Sequence, residues 1–433
     1  MSCNSLPSSS WSATECGGGS HPGRGAQFLG VPLQRVYRRH PESECEFMSE
    51  VKPFTVNVPA EVLDDLRRRL ANTRWPDQIV GSGWDYGTDI DYLRSLVDYW
   101  QNSFDWRDVE RKINEFPQYT TLIDGQNIHF LHARSRVPGA RPLILLHGWP
   151  GSPLEFLKLI GPLTDPVAHG GRSEDAFHVI VPSLPGFAFS GPTADRGWHE
   201  GRIADALSRL METIGYSSFF VHGGDYGSLV ASQLASRHPD QVRALHLTLI
   251  VVGGLPADDG DPTPEERALA AELTNHVQRE TGYIALQATK PQTVAYSLVD
   301  SPVGLAAWIV EKLKAWTDNG GDLESVVSRD EMLANITTYW VTATGGSSVR
   351  LYFETAAAGM MGVPPTRNDI PVSVAVFPRE LYRTSRRIAE YHYNVVRWTQ
   401  HPVGGHFAAL EQPDLLILDL RASFADQGDA ARS

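Results

Sequence analysis

The spacing of hydrophobic and polar positions changes along the chain and separates two kinds of segment. In residues 53–106 the apolar positions recur at helical spacing, with arginines on the opposite face of residues 59–72. The pattern predicts helices over residues 59–72 and 92–100. Four tryptophans of this region are interpreted as packing anchors on a larger body: Trp75, Trp84, Trp100 and Trp106.

From residue 119 onward, continuous apolar runs alternate with helical patterns. Asp124-Gly125 separates the first two runs and is typical of a β-hairpin. Apolar runs without polar alternation are typical of strands buried on both faces, so we expect the α/β class with a mostly parallel sheet flanked by helices. The predicted strands are residues 119–123, 127–132, 142–146, 177–181, 219–222, 244–250, 372–377 and 393–398.

One interval breaks this alternation, because residues 254–345 carry only helical patterns, such as 264–283 and 304–318. Ligands bind at the carboxyl edge of open α/β sheets, so we expect a helical cap inserted over that edge. The predicted organisation is a tail (1–47), an amino-terminal segment that packs on core and cap (48–118), the first part of the core (119–253), the cap (254–348) and the second part of the core (349–433).

Composition narrows the classes of function. Among 433 residues, 38 Lys and Arg stand against 51 Asp and Glu, and the net charge of −13 argues against a nucleic-acid partner or an anionic membrane face. All three cysteines precede residue 48, which excludes a disulfide framework, a cysteine zinc site or a catalytic thiol in the body of the protein. The Ser/Gly/Pro-rich start predicts a disordered tail, with Met48 as an alternative start. No run is long and apolar enough to be a signal or membrane segment, so we expect a soluble, cytoplasmic protein.

The sequence Gly223-Gly224-Asp225-Tyr226-Gly227 lies between a predicted strand and a predicted helix over residues 229–237. It has the layout of the Gly-x-Ser-x-Gly nucleophile elbow, with Asp225 in place of the serine. Alternatively, Asp225 only caps the helix that follows. The motif alone leaves both interpretations open.

Three further parts of the sequence favour a catalytic role for Asp225. His147-Gly148-Trp149-Pro150-Gly151-Ser152 comes directly after a buried strand, so the N–H groups of Trp149 and Tyr226 can form an oxyanion hole. His406 follows the last strand, before a helix predicted over residues 408–424, and is the candidate base.

The acid that orients this histidine is predicted to be Glu380, which follows the strand 372–377 at the carboxyl edge, whereas Asp369 precedes that strand. The order nucleophile, acid, histidine is typical of α/β-hydrolases and differs from those of chymotrypsin and subtilisin.

An aspartate nucleophile keeps the acyl carbonyl on the enzyme, which suits displacement at an sp³ carbon. A serine leaves the acyl carbonyl on the substrate, which suits ester cleavage. Asp225 therefore argues against an esterase, lipase or peptidase and leaves epoxides and alkyl halides.

From about residue 53 to the carboxyl-terminal region, the chain resembles the epoxide hydrolases of the α/β-hydrolase fold, of the microsomal and juvenile-hormone type. The resemblance rests on residues 53–56, 74–77, 147–152, 223–228, 288–291, 300–308 and 404–411. It implies an amino-terminal segment that wraps across the body, and two tyrosines that grip the epoxide oxygen, at Tyr283 and Tyr352. From the sequence alone, Tyr339 is as plausible as either. Microsomal relatives carry an amino-terminal membrane anchor, where this chain has its Ser/Gly-rich tail, so membrane residence is not expected.

The predicted function is hydrolysis of a small-molecule epoxide to a vicinal diol, through an ester on Asp225 that is hydrolysed by water activated by His406 and Glu380. No metal or organic cofactor is expected, and a homodimer is a candidate assembly. One alternative is a haloalkane dehalogenase with the same nucleophile, which typically has Trp directly after it, where this chain has Tyr226. The other alternative is a catalytically silent ligand-binding protein of the same fold, which would be expected to lack a member of the site.

Overall fold

The computed structural model describes residues 50–252, 260–364 and 366–425, and the tail predicted at 1–47 lies outside them. A sheet of nine strands runs through this part of the chain. The strands are β1 (Lys52–Phe54), β2 (Gln118–Ile123), β3 (Gln126–Ala133), β4 (Arg141–Leu146), β5 (Phe177–Pro182), β6 (Phe219–Gly223), β7 (Val242–Leu247), β8 (Pro371–Val376) and β9 (Asn394–Gln400).

Along the sheet the strands are ordered β1-β2-β3-β5-β4-β6-β7-β8-β9. The pairs from β1 to β5 are antiparallel, and those from β5 through β4 to β9 are parallel. The hairpin predicted at Asp124-Gly125 is confirmed, with both residues at positive φ, as such a tight turn requires. The edge strand β1 was not predicted, because three residues are too few to show a period.

Strand β4 shows why the predicted strands lack polar alternation. Leu143 and Leu145 pack into one hydrophobic cluster, and Ile144 and Leu146 pack into the other, with all four side chains fully buried. Helices cover both faces of the sheet, so each position along the strand is an interior one. Burial of one such side chain contributes about 1.5–3 kcal/mol.

Sixteen α-helices surround the sheet within the described ranges. They are α1 (Ala60–Ala71), α2 (Ile90–Asn102), α3 (Trp106–Asn114), α4 (Leu157–Thr164), α5 (Glu200–Thr213), α6 (Tyr226–Arg237), α7 (Pro264–Glu280), α8 (Gly282–Thr289), α9 (Pro291–Asp300), α10 (Pro302–Trp316), α11 (Arg329–Val341), α12 (Gly345–Ser348), α13 (Arg350–Ala357), α14 (Arg386–His392), α15 (Ala408–Glu411) and α16 (Pro413–Ala425). Short 3₁₀ helices lie at Pro153–Phe156, Val167–His169, Ser173–Asp175, Ala188–Ser190 and Leu323–Ser325.

Two predicted helices are each divided in the structure. The helix predicted at 264–283 is α7 followed by α8. The helix predicted at 408–424 is α15 followed by α16, and it breaks at Gln412 because the next residue is Pro413. Proline disfavours helical conformation in the residue before it and has no N–H for the helix.

The strand predicted at 244–250 is also shorter than expected, because β7 ends at Leu247. Leu249 and Ile250 remain buried although they lie beyond the strand. Their apolar character reflects a buried position after the strand rather than strand pairing.

Between β7 and β8 the described residues form α-helices α7 to α13 and one 3₁₀ helix, with no strand. The helical run continues past the predicted limit of residue 348 to Ala357, where α13 packs on α8. The amino-terminal segment contacts this insertion: Arg69 Nη1 donates to Asp300 O at 2.7 Å and Thr88 Oγ1 to Ala307 O at 2.7 Å. Among the described helices, none taken singly has the length and hydropathy to cross a membrane, and α9 with α10 meets that test only as a pair bent by 115°.

Helix α6 lies against β4 at Gly227, where a Cβ atom would stand 2.0 Å from the carbonyl oxygen of Leu146. We therefore expect Gly227→Ala to cost roughly 3 kcal/mol or more, because only a shift of the central strand could relieve the clash. In calorimetry, this corresponds to a Tm lower by about 5 °C or more.

The matched control is Gly282→Ala at the start of α8, where a Cβ atom would have no atom of the described part of the chain within 4 Å. Its Tm should stay at or slightly above that of the unchanged protein, because alanine favours helix by up to about 1 kcal/mol. Equal Tm values for the two variants would contradict the close contact at Gly227.

Candidate active site

Asp225 occupies the turn between β6 and α6 in a strained backbone conformation, with φ +49° and ψ −131°. A residue with a side chain at such a position costs about 1–3 kcal/mol and persists only where its surroundings enforce it. Its side chain makes no capping hydrogen bond with α6, which removes the alternative interpretation of Asp225 as a helix cap. The carboxylate instead contacts the Trp149 N–H and the His406 ring.

One oxygen of this carboxylate is bound by the turn that follows β4. The backbone N–H of Trp149 donates to Asp225 Oδ1 at 2.8 Å. Tyr226 is the first residue of α6, so its N–H has no acceptor within the helix and lies at the positive end of the helix dipole. The two predicted oxyanion donors therefore both lie beside Asp225. The N–H of Trp149 is hydrogen-bonded to its carboxylate, and the N–H of Tyr226 belongs to the next residue in the sequence.

His406 contacts the other oxygen of Asp225, with Nε2 at 3.2 Å from Oδ2. On its far side, Nδ1 lies 2.6 Å from Oε1 of Glu380, and both side chains are only 2% exposed. A carboxylate can only accept, so Nδ1 carries a proton towards Glu380. The backbone N–H of Leu381 also donates to Glu380 Oε1, at 2.7 Å. The structure thus brings the predicted nucleophile, base and acid into one chain of contacts.

The loop that carries His406 passes close beneath α10. A Cβ atom at Gly405 would stand 2.5 Å from the carbonyl oxygen of Trp316, so only glycine fits there. The same carbonyl accepts the N–H of His406 at 2.9 Å, and the indole ring meets the imidazole edge-on at 5.2 Å. Arg379 N–H donates to Gly404 O at 3.1 Å and ties the Glu380 loop to this one. The cap and the second core segment therefore position the imidazole together.

The charges around His406 set its protonation. Burial lowers the pKa of its imidazole, but the negative carboxylates of Glu380 and Asp225 outweigh burial and raise the pKa well above its ordinary value. The imidazolium is therefore favoured while both carboxylates are charged. Loss of either negative charge would lower the pKa and favour the neutral base.

Tyr283 and Tyr352 lie on α8 and α13 and face the same cavity as Asp225. Tyr283 stacks on the Trp149 ring at 5.2 Å, and Tyr352 meets the Tyr226 ring at 4.8 Å. Burial raises the pKa of each phenol well above its ordinary value, and the Asp225 charge raises it further, so both hydroxyls keep their protons.

This cavity has a volume of about 300 Å³. Apolar side chains form most of its wall, among them Leu229, Leu249, Ile284 and Met361. Tyr382 also lines it, although the sequence analysis did not single that residue out. Its position two residues after Glu380 was the available signal, since both follow β8 at the carboxyl edge.

Tyr339, the tyrosine that looked equally plausible in the sequence, has another contact. Its hydroxyl donates to the carbonyl oxygen of Gly151 at 2.6 Å and is buried. It supports the turn after β4 and does not line the cavity. Within the described residues, no group of three or more His, Cys, Asp or Glu is arranged to hold a metal ion.

Comparison with protein families gives two matches. Residues 51–156 match the family described as Epoxide hydrolase N terminus. Residues 141–298 match the alpha/beta hydrolase fold.

Individual proteins are similar to this chain over most of its length. A protein of Stigmatella aurantiaca, provisionally named an epoxide hydrolase, is 48% identical over 375 residues, which cover 86% of this chain and 84% of its own. Epoxide hydrolase 1 of Oryctolagus cuniculus is 35% identical over 398 residues, covering 86% and 88%. The solved structure of Aspergillus niger epoxide hydrolase superposes with a TM-score of 0.77 at 31% identity, covering 87% of this chain and 96% of that one. The chain therefore belongs to the epoxide hydrolase family of the α/β-hydrolase fold.

Proposed function

We propose that the protein opens epoxides to vicinal diols through a covalent ester on Asp225. The observation that carries this proposal is the placement of the Asp225 carboxylate between His406 and the Trp149 N–H, at the wall of a cavity that also contains two buried tyrosines. A carboxylate nucleophile, a base with its own acid and two neutral O–H donors are the groups that this reaction needs.

In the first step, an oxygen of Asp225 attacks one ring carbon and the bond from that carbon to the epoxide oxygen breaks. The oxygen takes a proton from Tyr283 or Tyr352, while the other phenol donates a hydrogen bond. Since burial holds the pKa of both phenols high, each is protonated and can act as donor. A positioned acid of this kind contributes about 10²–10⁴-fold in rate.

In the second step, the ester is hydrolysed at its carbonyl carbon. Alkylation removes the negative charge of Asp225, which is one of the charges that raise the pKa of His406. The imidazolium therefore gives up its proton, which returns the phenolate left by the first step to a phenol. The neutral imidazole then takes a proton from water, and the hydroxide oxygen bonds to the carbonyl carbon. The N–H groups of Trp149 and Tyr226 stabilise the oxyanion.

Collapse of this intermediate releases the diol, which takes the proton held by His406. The remaining proton of the water passes from the Asp225 carboxyl to His406 and restores the imidazolium, so the cycle consumes no net proton. Glu380 keeps the imidazole in the orientation that directs Nε2 at the site throughout.

The cavity also indicates a substrate class. Its volume of about 300 Å³ and its mostly apolar wall suit an epoxide that carries an aliphatic or aromatic substituent without charge. Cytoplasmic residence and a homodimer stay predictions of the sequence.

Styrene oxide and a 1-chloroalkane of similar size distinguish this proposal from dehalogenation. We expect diol from styrene oxide and no halide from the chloroalkane, because the donors over the cavity are phenols that protonate an oxygen. Chromatography of the diol and ion-selective detection of halide measure both. Release of halide without diol would overturn the proposal, and neither product from a panel of epoxides would favour the silent ligand-binding alternative.

Changing His406 to Gln should separate the two steps. The amide cannot serve as a base, so we expect the ester on Asp225 to form and persist, with turnover lower by roughly 10³-fold or more. Mass spectrometry of the intact protein would then show the mass of one substrate added. If no adduct accumulates, His406 does not act in the second step.

Changing Tyr283 and Tyr352 together to Phe should slow ring opening by about 10²–10⁴-fold, because the alkoxide then lacks its acid. Single-turnover measurement of ester formation follows this step directly. The matched control is Tyr339→Phe, which loses a buried hydroxyl outside the cavity and should lose about 1 kcal/mol of stability with ring opening unchanged. Ring opening at the normal rate in the double variant would show that other groups donate the proton.

A further inference from the structure

A second and much smaller cavity also borders Asp225. Its volume of about 20 Å³ is enough for one water molecule. We call it the water chamber. The polar side chains that line it are His147, Glu155, His222, Asp225, Thr248 and His406.

Two of these side chains, His147 and Glu155, are not available to accept a hydrogen bond from a water molecule. His147 uses both ring nitrogens, with Nδ1 at 3.0 Å from Gly148 O and Nε2 accepting the Leu184 N–H at 3.2 Å. Glu155 accepts the Ser152 N–H at 3.1 Å, and burial raises its pKa to about 8, so its neutral form is a donor near pH 7. This leaves His222 as a second imidazole that can accept a hydrogen bond from water.

A buried chain of contacts leads away from His222. Its Nδ1 lies 3.0 Å from Nδ1 of His246 in the neighbouring strand, and Nε2 of His246 lies 3.3 Å from Oδ2 of Asp419 in α16. The three side chains are 2%, 0% and 3% exposed. Two facing ring nitrogens form a hydrogen bond only when one of them carries the proton.

The charge of Asp419 determines which ring nitrogen of His246 carries the proton. Burial alone would raise the pKa of this carboxyl, but hydrogen bonds from His246 and Thr399 and the nearby ring of His401 lower it below its ordinary range. Its other oxygen accepts from Arg397 Nε at 3.0 Å. Asp419 is thus an ionised acceptor, and the proton of His246 lies on Nε2.

The tautomer of His222 follows from that of His246. With a single ring proton, held on Nε2 towards Asp419, His246 presents a bare Nδ1, which accepts the Nδ1–H of His222. Burial and the neighbouring His246 lower the pKa of His222 well below its ordinary value, so the ring stays neutral. Its Nε2 then carries a lone pair and makes no hydrogen bond to any other described residue.

We propose that Nε2 of His222 accepts a hydrogen bond from the hydrolytic water in the water chamber, while His406 takes the water's other proton. His222 thereby holds the water against the carbonyl carbon of the Asp225 ester, and Glu155 can donate to the water oxygen. His246 and Asp419 are positioning residues that keep the lone pair of His222 on Nε2. This proposal rests on the two-step function proposed above and concerns its second step alone.

The test uses His222→Phe, which keeps a ring of similar size but removes the acceptor. We expect ester formation at the unchanged rate and ester hydrolysis about tenfold slower, since one hydrogen bond to the attacking water is lost. Rapid-quench mass spectrometry gives both rates. Because only the step after alkylation changes, kcat and KM should fall together, with kcat/KM unchanged.

Two further variants separate this role from a structural one. His222→Gln retains an acceptor oxygen and should recover most of the hydrolysis rate. His129→Phe is the matched control: it removes a buried imidazole hydrogen-bonded to Ser183 and Gln118, outside the water chamber, and should lower Tm without changing the ratio of the two rates.

The outcomes are distinct. Hydrolysis at the unchanged rate in His222→Phe, or an equal loss of both rates, would overturn the role of His222. Absence of an ester in the unsubstituted protein would instead overturn the two-step function. ¹⁵N NMR of the unsubstituted protein should show the His222 proton on Nδ1 and that of His246 on Nε2, and the opposite tautomers would overturn the proposal without any variant.

Discussion

Because Gly227 has no side chain, α6 can lie directly against the carbonyl oxygen of Leu146 in β4, and the other parts of the site depend on this close approach. With the helix this close to the strand, only Gly224 and Asp225 are left for the turn, and Asp225 adopts a positive φ. The end of β4 then continues directly into the turn whose Trp149 N–H binds the carboxylate. Nucleophile and oxyanion donor are therefore carried by two central, paired strands, which is the least deformable part of an α/β sheet.

The charges around His406 explain why the two proposed steps occur in a fixed order. A buried imidazole between two carboxylates is costly unless it is charged and hydrogen-bonded on both sides, and His406 has a carboxylate on each side. Conversion of Asp225 to an ester removes one of those charges at the moment when a base is required. In the proposed mechanism, the same residue thus acts as nucleophile in the first step and, by losing its charge, releases the base for the second.

The cap contacts His406, and the amino-terminal segment in turn contacts the cap. Trp316 at the end of α10 contacts His406 through its ring and its carbonyl group. The start of α10 and the end of α9 are bound by the amino-terminal segment at Thr88 and Arg69. The segment therefore supports the helix that positions His406, although none of its described residues lines the cavity beside Asp225. This gives a structural reason for a long amino-terminal extension ahead of the catalytic core.

The sequence by itself predicted eight of the nine strands of the described sheet and the elbow, and it assigned candidate roles by order along the chain. These depend on local patterns, since apolar runs, glycines around a turn and the edge at which a strand ends are visible within a few residues. Glu380 could be preferred to Asp369 on this basis alone. Local patterns were weaker at element ends, where burial continues past β7 and a proline divides the last helix.

Only the tertiary structure decided which side chains meet across long separations. It directs Tyr339 to the turn after β4 and brings Tyr283 and Tyr352 to the cavity, a distinction made in the sequence only by family resemblance. It also joins His222 to His246 and Asp419, three residues with no common motif. Such contacts depend on how helices and strands pack, because a side chain's partner is set by the neighbouring element in space and leaves no period in the chain.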